Sequence, residues 1–174
     1  MKRNVILLLS ICAFALAAVA FLWWRTDLGV SSAEIEKDAR SEQRIPGNWN
    51  VAKDVGNLMT AMIFYDESRS DFTVAIYAKQ SEASDKYHCR YGGNSGMIGI
   101  GIVEFSFEDC EERAFLSMNE QKAVQAVLHK GEETQNRALD ADNPFVLVLG
   151  ADITEVIFYD AKGNIAGDYE IAVE

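Results

Sequence analysis

The sequence predicts a mainly β domain, antiparallel, sandwich-like and rich in hairpins, with a short N-terminal helix. Three observations predict it. Apolar and polar residues alternate with period two, as in Phe72 to Ala78. Polar turn clusters such as Asp66 to Asp71 and Gly92 to Gly96 separate these segments. Short apolar runs such as Phe145 to Leu149 are bounded by turn residues, as buried strands are.

The chain begins with Lys2 and Arg3 ahead of an uncharged, almost wholly apolar run from Val5 to Trp24, closed by Arg25. At about 1.5 Å of rise per residue such a helix reaches roughly 30 Å, enough to span a bilayer. Lys2 and Arg3 favour an N-terminus in the cytoplasm, and Trp23 and Trp24 suit the far interface. Residues 1–25 are thus expected to be a membrane anchor or signal segment. The expected location is the inner (cytoplasmic) membrane, single-pass, with the C-terminal domain extracytoplasmic. The alternative is a secreted or periplasmic protein after cleavage at Ala15-Leu16-Ala17 or Ala18-Val19-Ala20. Cleavage after Ala20 leaves Phe21-Leu22-Trp23-Trp24 exposed to water, which favours the anchor. Cys12 follows Ile11, too large for a lipoprotein box, and reads as an ordinary residue of the apolar run.

Residues 26–45 are polar, charged and poor in large side chains, which reads as a linker or stalk with transient helicity. Residues 46–174 then form one β-rich domain, about 130 residues and large enough for a real core. The chain carries 16 Lys and Arg, of which Lys2, Arg3 and Arg25 lie at the start, leaving 13 against 27 Asp and Glu, a formal −14 after Arg25. Such a surface repels nucleic acid and attracts cations or a basic protein partner. Solubility is the simpler explanation of the same charge. In an oxidising compartment Cys89 and Cys110 are expected to pair, closing a loop of roughly 20 residues and stabilising by about 3 kcal/mol.

Within the domain, Val51, Val55, Leu58, Met59 and Met62 fall at helical spacing after Asn48 or Asn50, which predicts the short helix. Ala61 to Tyr65 and Phe72 to Ala78 flank a polar turn and form a hairpin. Tyr87, Cys89 and Tyr91 alternate with Lys86, His88 and Arg90 before the glycine-rich turn, and Met97 to Phe107 reads as one long returning strand. A turn centred near Asn94 sets Tyr87 opposite Gly101 and Cys89 opposite Gly99. From Ser117 two readings compete. Ser117-Met118-Asn119-Glu120 fits a capping box, which gives an α+β domain with an additional helix near 118–130. Lys130-Gly131 fits a hairpin tip, favoured because β elements surround it. Val156 to Tyr159 turns at Gly163 into a returning strand, Ile165 to Val173.

No catalytic signature stands out. His88 and His129 are the only histidines, and neither sits near a nucleophile in a known motif. Lys86, His88 and Arg90 form a candidate anion-binding strip for a carboxylate or phosphate, although a solvated face paired with groups such as Glu104 is the plainer reading. Zinc by His88, Cys89 and Cys110 is disfavoured because neighbours on a strand point to opposite faces. Asp140-Ala141-Asp142-Asn143 begins like a calcium loop, but Pro144 replaces the next ligand. Gly92 to Gly96 precedes a strand rather than a helix, which argues against a phosphate cradle. No cofactor is expected. The expected function is a membrane-anchored, non-catalytic protein-binding module with an acidic surface, of inhibitor or immunity type. The alternative is an envelope hydrolase or cation-dependent enzyme whose carboxylates assemble only in the fold.

Overall fold

The computed structural model describes residues 29–167 and 169–173. In chain order the elements are β1 (Val30–Ser31), α1 (Ile35–Glu42), β2 (Asn50–Val55), β3 (Met59–Tyr65), β4 (Phe72–Ala78), β5 (Lys86–Gly93), a 3₁₀ turn (Gly96–Gly99), β6 (Ile102–Ser106), β7 (Glu112–Ser117), β8 (Ala123–Lys130), β9 (Glu133–Ala138), β10 (Phe145–Gly150), β11 (Glu155–Asp160) and β12 (Tyr169–Val173). They make a five-stranded sheet β1-β5-β4-β3-β2, a four-stranded sheet β10-β7-β6-β12 and a three-stranded sheet β11-β8-β9. All pairings between these strands are antiparallel except β12, which lies parallel to β6. The predicted class, mainly β with one short helix, is the observed one.

Three apolar clusters separate the layers. Ile63, Val74 and Ile76 of the five-stranded sheet meet Val103, Phe105 and Leu116 of the four-stranded sheet. The opposite face of that second sheet, with Ile102, Phe115 and Leu147, packs on Leu128, Val156 and Phe158 of the third. Met62, Phe64, Ala75 and Tyr77 turn the other way, onto Ile35 and Ala39 of α1. β3 is therefore buried on both faces, which is why Ala61 to Phe64 reads as an unbroken apolar run rather than an alternation. The Val148 N–H of β10 donates to the Asp54 carboxylate of β2 at 2.9 Å, tying the edges of two sheets so that the wall curls into a half-barrel.

The helix is not where apolar spacing predicts it. Residues 50–65 form the β2–β3 hairpin, because Gly56-Asn57 interrupts any helix there and both faces of β3 have a core to meet. The helix lies instead in the segment expected to be a linker. Glu36 and Asp38 in its first turn and Arg40 in its last suit the helix dipole, and Ile35 and Ala39 are 2% and 0% exposed against the sheet. Polar contacts fix it in place. Tyr77 donates to Asp38 at 2.7 Å, Lys53 reaches Glu36 at 2.9 Å, and the Arg40 guanidinium lies 4.8 Å from the centre of the Phe64 ring.

The stretch Met97 to Phe107 is a 3₁₀ turn followed by β6, and β5 pairs with β4 and β1 instead of with it. The registers of Tyr87 with Gly101 and Cys89 with Gly99 accordingly do not form. Residues 123–138 are the β8–β9 hairpin, not a helix. Ile165 makes only an isolated bridge to Tyr159, and the chain then crosses to β6.

Two expectations are corrected. The single-pass inner-membrane location has no helix to rest on: among the described residues no helix is long and apolar enough to cross a membrane, and α1, at eight residues, is about 12 Å long. Val5, Trp23 and Trp24 lie outside the described residues. The expected disulfide is also absent, since Cys89 and Cys110 are both free thiols. Cys89 sits opposite Tyr77 on the α1 side of the five-stranded sheet, whereas Cys110 packs against the cluster on its other side. The cause is a bulge in β5 between Cys89 and Tyr91, where Arg90 has no partner opposite and the strand changes face.

Candidate functional site

An open groove of about 400 Å³ lies where the end of β6 and the start of β7 face the loop between β10 and β11. Ser106, Cys110, Glu111, Glu112 and Arg113 form one wall, and Ala151, Ile153 and Thr154 the other. The turn after Phe107, closed by Cys110 N–H donating to the Phe107 carbonyl at 3.0 Å, brings Cys110 to the rim.

Arg113 is the organised cation of the groove. Its Nη1 donates to Glu104 Oε1 at 3.0 Å, its Nη2 donates to the Ile153 carbonyl at 2.8 Å, and its guanidinium lies 5.3 Å from the centre of the Phe115 ring. Phe115 and Ile153 thereby hold the planar group in one orientation. Glu104 is only 4% exposed, and its second oxygen, Oε2, has no hydrogen-bond partner among the described residues. An ion pair with one satisfied and one orphaned carboxylate oxygen is an expensive arrangement to bury.

Glu112, the buried acid that lines the groove, is wholly occupied by the fold. It accepts from the backbone N–H groups of Asn57, Leu58 and Met59 at 2.7, 2.8 and 2.8 Å, closing the β2–β3 turn. A Cβ added at Gly56 would overlap its carboxylate. Only glycine lets that turn approach so closely. Burial pushes the Cys110 thiol up from its ordinary range, so at neutral pH it is a poor nucleophile.

The candidate strip on β5 is only partly available. Arg90 makes a two-pronged ion pair with Asp109, at 2.8 and 2.6 Å, and lies 5.0 Å from the centre of the Phe107 ring. The pairing raises the arginine and holds the Asp109 carboxyl below the usual range. Lys86 and His88 share β5 but have no such partner among the described contacts. His129 is remote from the strip, on β8, 3.3 Å from Thr134 Oγ1 and 3.9 Å from Glu155. Among the described residues no group of three His, Cys, Asp or Glu is placed to hold a metal ion. Asp140 instead accepts from Asp142 N–H and Asn143 Nδ2 in a local turn, which lowers its pKa.

The pairing of Glu104 with Arg113, and the role of Glu112, do not follow from linear motifs. One signal was present: Glu104 interrupts the apolar run Ile102-Val103-Glu104-Phe105, and a charge within a buried strand calls for a partner. Comparison with family models, with curated proteins and with solved structures finds no match.

Proposed function

We propose that this domain is a non-catalytic binding module that receives a basic protein partner on the acidic rim of the groove. The observation behind the reading is a division of labour among its carboxylates. Glu112, Asp66, Asp140 and Asp160 are spent on backbone and side-chain hydrogen bonds that shape turns. Glu108 and Glu111, beside the groove, are exposed and carry no hydrogen bond or ion pair among the described contacts. Arg113 next to them is already neutralised by Glu104. The rim therefore presents negative charge on a framework that is held rigidly from below, which suits electrostatic capture.

The test is affinity capture with the full chain at about 50 mM and about 500 mM salt, run beside the Glu108→Gln/Glu111→Gln variant, since exposed charges are screened beyond about 8 Å at physiological salt. A discrete basic protein retained by the parent at low salt, and lost both at high salt and in the variant, supports the reading. Equal retention by parent and variant overturns it.

A second reading rests on the orphaned Glu104 Oε2. In it, the carboxylate, which reaches the groove only through Arg113, serves a hydrolytic or cation-dependent reaction there. Loss of turnover in Glu104→Gln with unchanged thermal unfolding, on any substrate found by screening, supports that reading. Turnover equal to the parent's would refute it.

A further inference from the structure

We propose that β9 is a dimerisation edge, along which two copies of this chain pair antiparallel about a two-fold axis through Gln135. β9 is the outer strand of its sheet, and all six of its residues are exposed. Among the described residues no strand pairs with its outer edge, so a second strand has room there.

The hairpin geometry decides which backbone groups are free. Gly131, with φ of +59°, and Glu132 form a two-residue tip closed by Lys130 and Glu133. That closing pair exchanges hydrogen bonds, and hydrogen-bonded pairs recur at every second residue. Glu133, Gln135 and Arg137 thus point their N–H and C=O groups inward to β8. The Leu139 N–H donating to the Val124 carbonyl at 2.8 Å continues the same parity. Thr134, Asn136 and Ala138 point theirs outward, at the free edge.

Only registers that match outward groups to outward groups form a ladder between copies. The register centred on Gln135 does so, exchanging hydrogen bonds between Thr134 of each copy and Asn136 of the other. It also sets Glu133 directly opposite Arg137 of the second copy, twice by symmetry, on the same face as the Gln135 pair. Directly opposed unlike charges stabilise antiparallel pairs, and like charges oppose them. A shift by two residues in either direction keeps the backbone parity but separates Glu133 from Arg137. Charged edges usually protect a strand because the charge meets its own kind in a second copy. Here the four-residue spacing of Glu133 and Arg137 turns the same device into self-complementarity. The interface is isologous and closed, so association stops at two.

The experiment is sedimentation equilibrium of the full chain from about 10 µM to about 1 mM, the range expected of a small interface. The expected result is a dimer whose Kd rises about tenfold or more in Glu133→Arg and in Arg137→Glu. The double exchange Glu133→Arg/Arg137→Glu restores it. Asn136→Pro removes an outward N–H that the monomer does not use, and abolishes the dimer with unchanged thermal unfolding. Under mild oxidation Gln135→Cys cross-links two copies and Thr134→Cys does not. Association through any other surface is indifferent to the charges at 133 and 137. Single variants that match the parent, a double exchange that fails to rescue, or a monomer throughout the range would overturn the proposal.

Discussion

The five-stranded sheet and the three-stranded sheet are both built from hairpins, yet one is covered on both faces and the other ends in a bare arm. β3 and β4 lie between α1 and the four-stranded sheet, and from Met59 to Phe64 every side chain is buried. β9 hangs beyond β8 with every side chain in solvent. Hairpin formation alone therefore says little about where stability resides; what covers each face decides it. The sharpest expression of the difference is a pair of truncations. Phe64→Ala removes a ring held between Met62, Ala75 and Arg40, and costs about 3–5 kcal/mol of unfolding free energy by denaturant titration. Asn136→Ala on β9 changes the same quantity by about 0.5 kcal/mol or less. Comparable costs at the two sites would mean that β9 is covered by something in solution.

The first region has its own weak point, the turn from Gly56 to Leu58. Glu112 reaches it from β7 and satisfies three backbone donors, so Glu112→Ala leaves the buried Met59 amide and two part-buried amides without that acceptor and is expected to cost about 3 kcal/mol. Gly56→Ala drives a methyl into the same carboxylate and toward Val148, at about 2 kcal/mol. Because both changes act on one contact, the double variant should fall short of the sum by about 1 kcal/mol. Strict additivity would show that Glu112 and Gly56 do not meet in solution.

How much of this was legible in the sequence follows the same divide. The β3–β4 hairpin was readable because a polar turn separates two segments of clear pattern, whereas local pattern in 118–130 fits a helix as well and β8–β9 was favoured only by its β surroundings and by Gly131, a tip that needs a positive φ. α1 was not, because only Ile35 and Ala39 of its eight residues are buried, and its attachment is polar: Asp38 to Tyr77, Glu36 to Lys53, Arg40 across Phe64. Composition cannot reveal an anchor made of pairings to residues far along the chain. The cysteines failed for a related reason. Their spacing suited a bridge, but the bulge at Arg90 sends Cys89 to one side of the sheet and leaves Cys110 on the other. Both should accordingly be alkylated without prior reduction, slowly at neutral pH because burial raises each thiol, and faster as pH rises; peptides carrying Cys89 and Cys110 that take up label only after reductant is added would restore the bridge. The groove was legible only in the misfit of Glu104. Arg113, its partner, is nine residues away on the neighbouring strand, and nothing in the linear sequence links them.

The smallest effect separates the two regions by pH. On the covered side, the hydrogen bond from Lys53 lowers Glu36 below the ordinary value of 4.5, against an opposing push from burial. A carboxyl depressed on folding contributes stability that is present above its unfolded pKa and disappears as pH falls through the folded one. Lys53→Met should therefore cost about 0.5 kcal/mol at pH 7, discounted for the exposure of both side chains, and the gap to the parent should close as pH drops below about 4.5. On the open side, Lys130 lowers Asp152 in the same direction, but Asp152 is more exposed than Glu36. Lys130→Met should consequently leave a smaller gap, one that added salt erases, whereas the gap at Lys53 persists because α1 holds Glu36 against the sheet. Equal gaps with equal salt sensitivity would mean that α1 contributes no more to its side of the molecule than the bare hairpin does to the other.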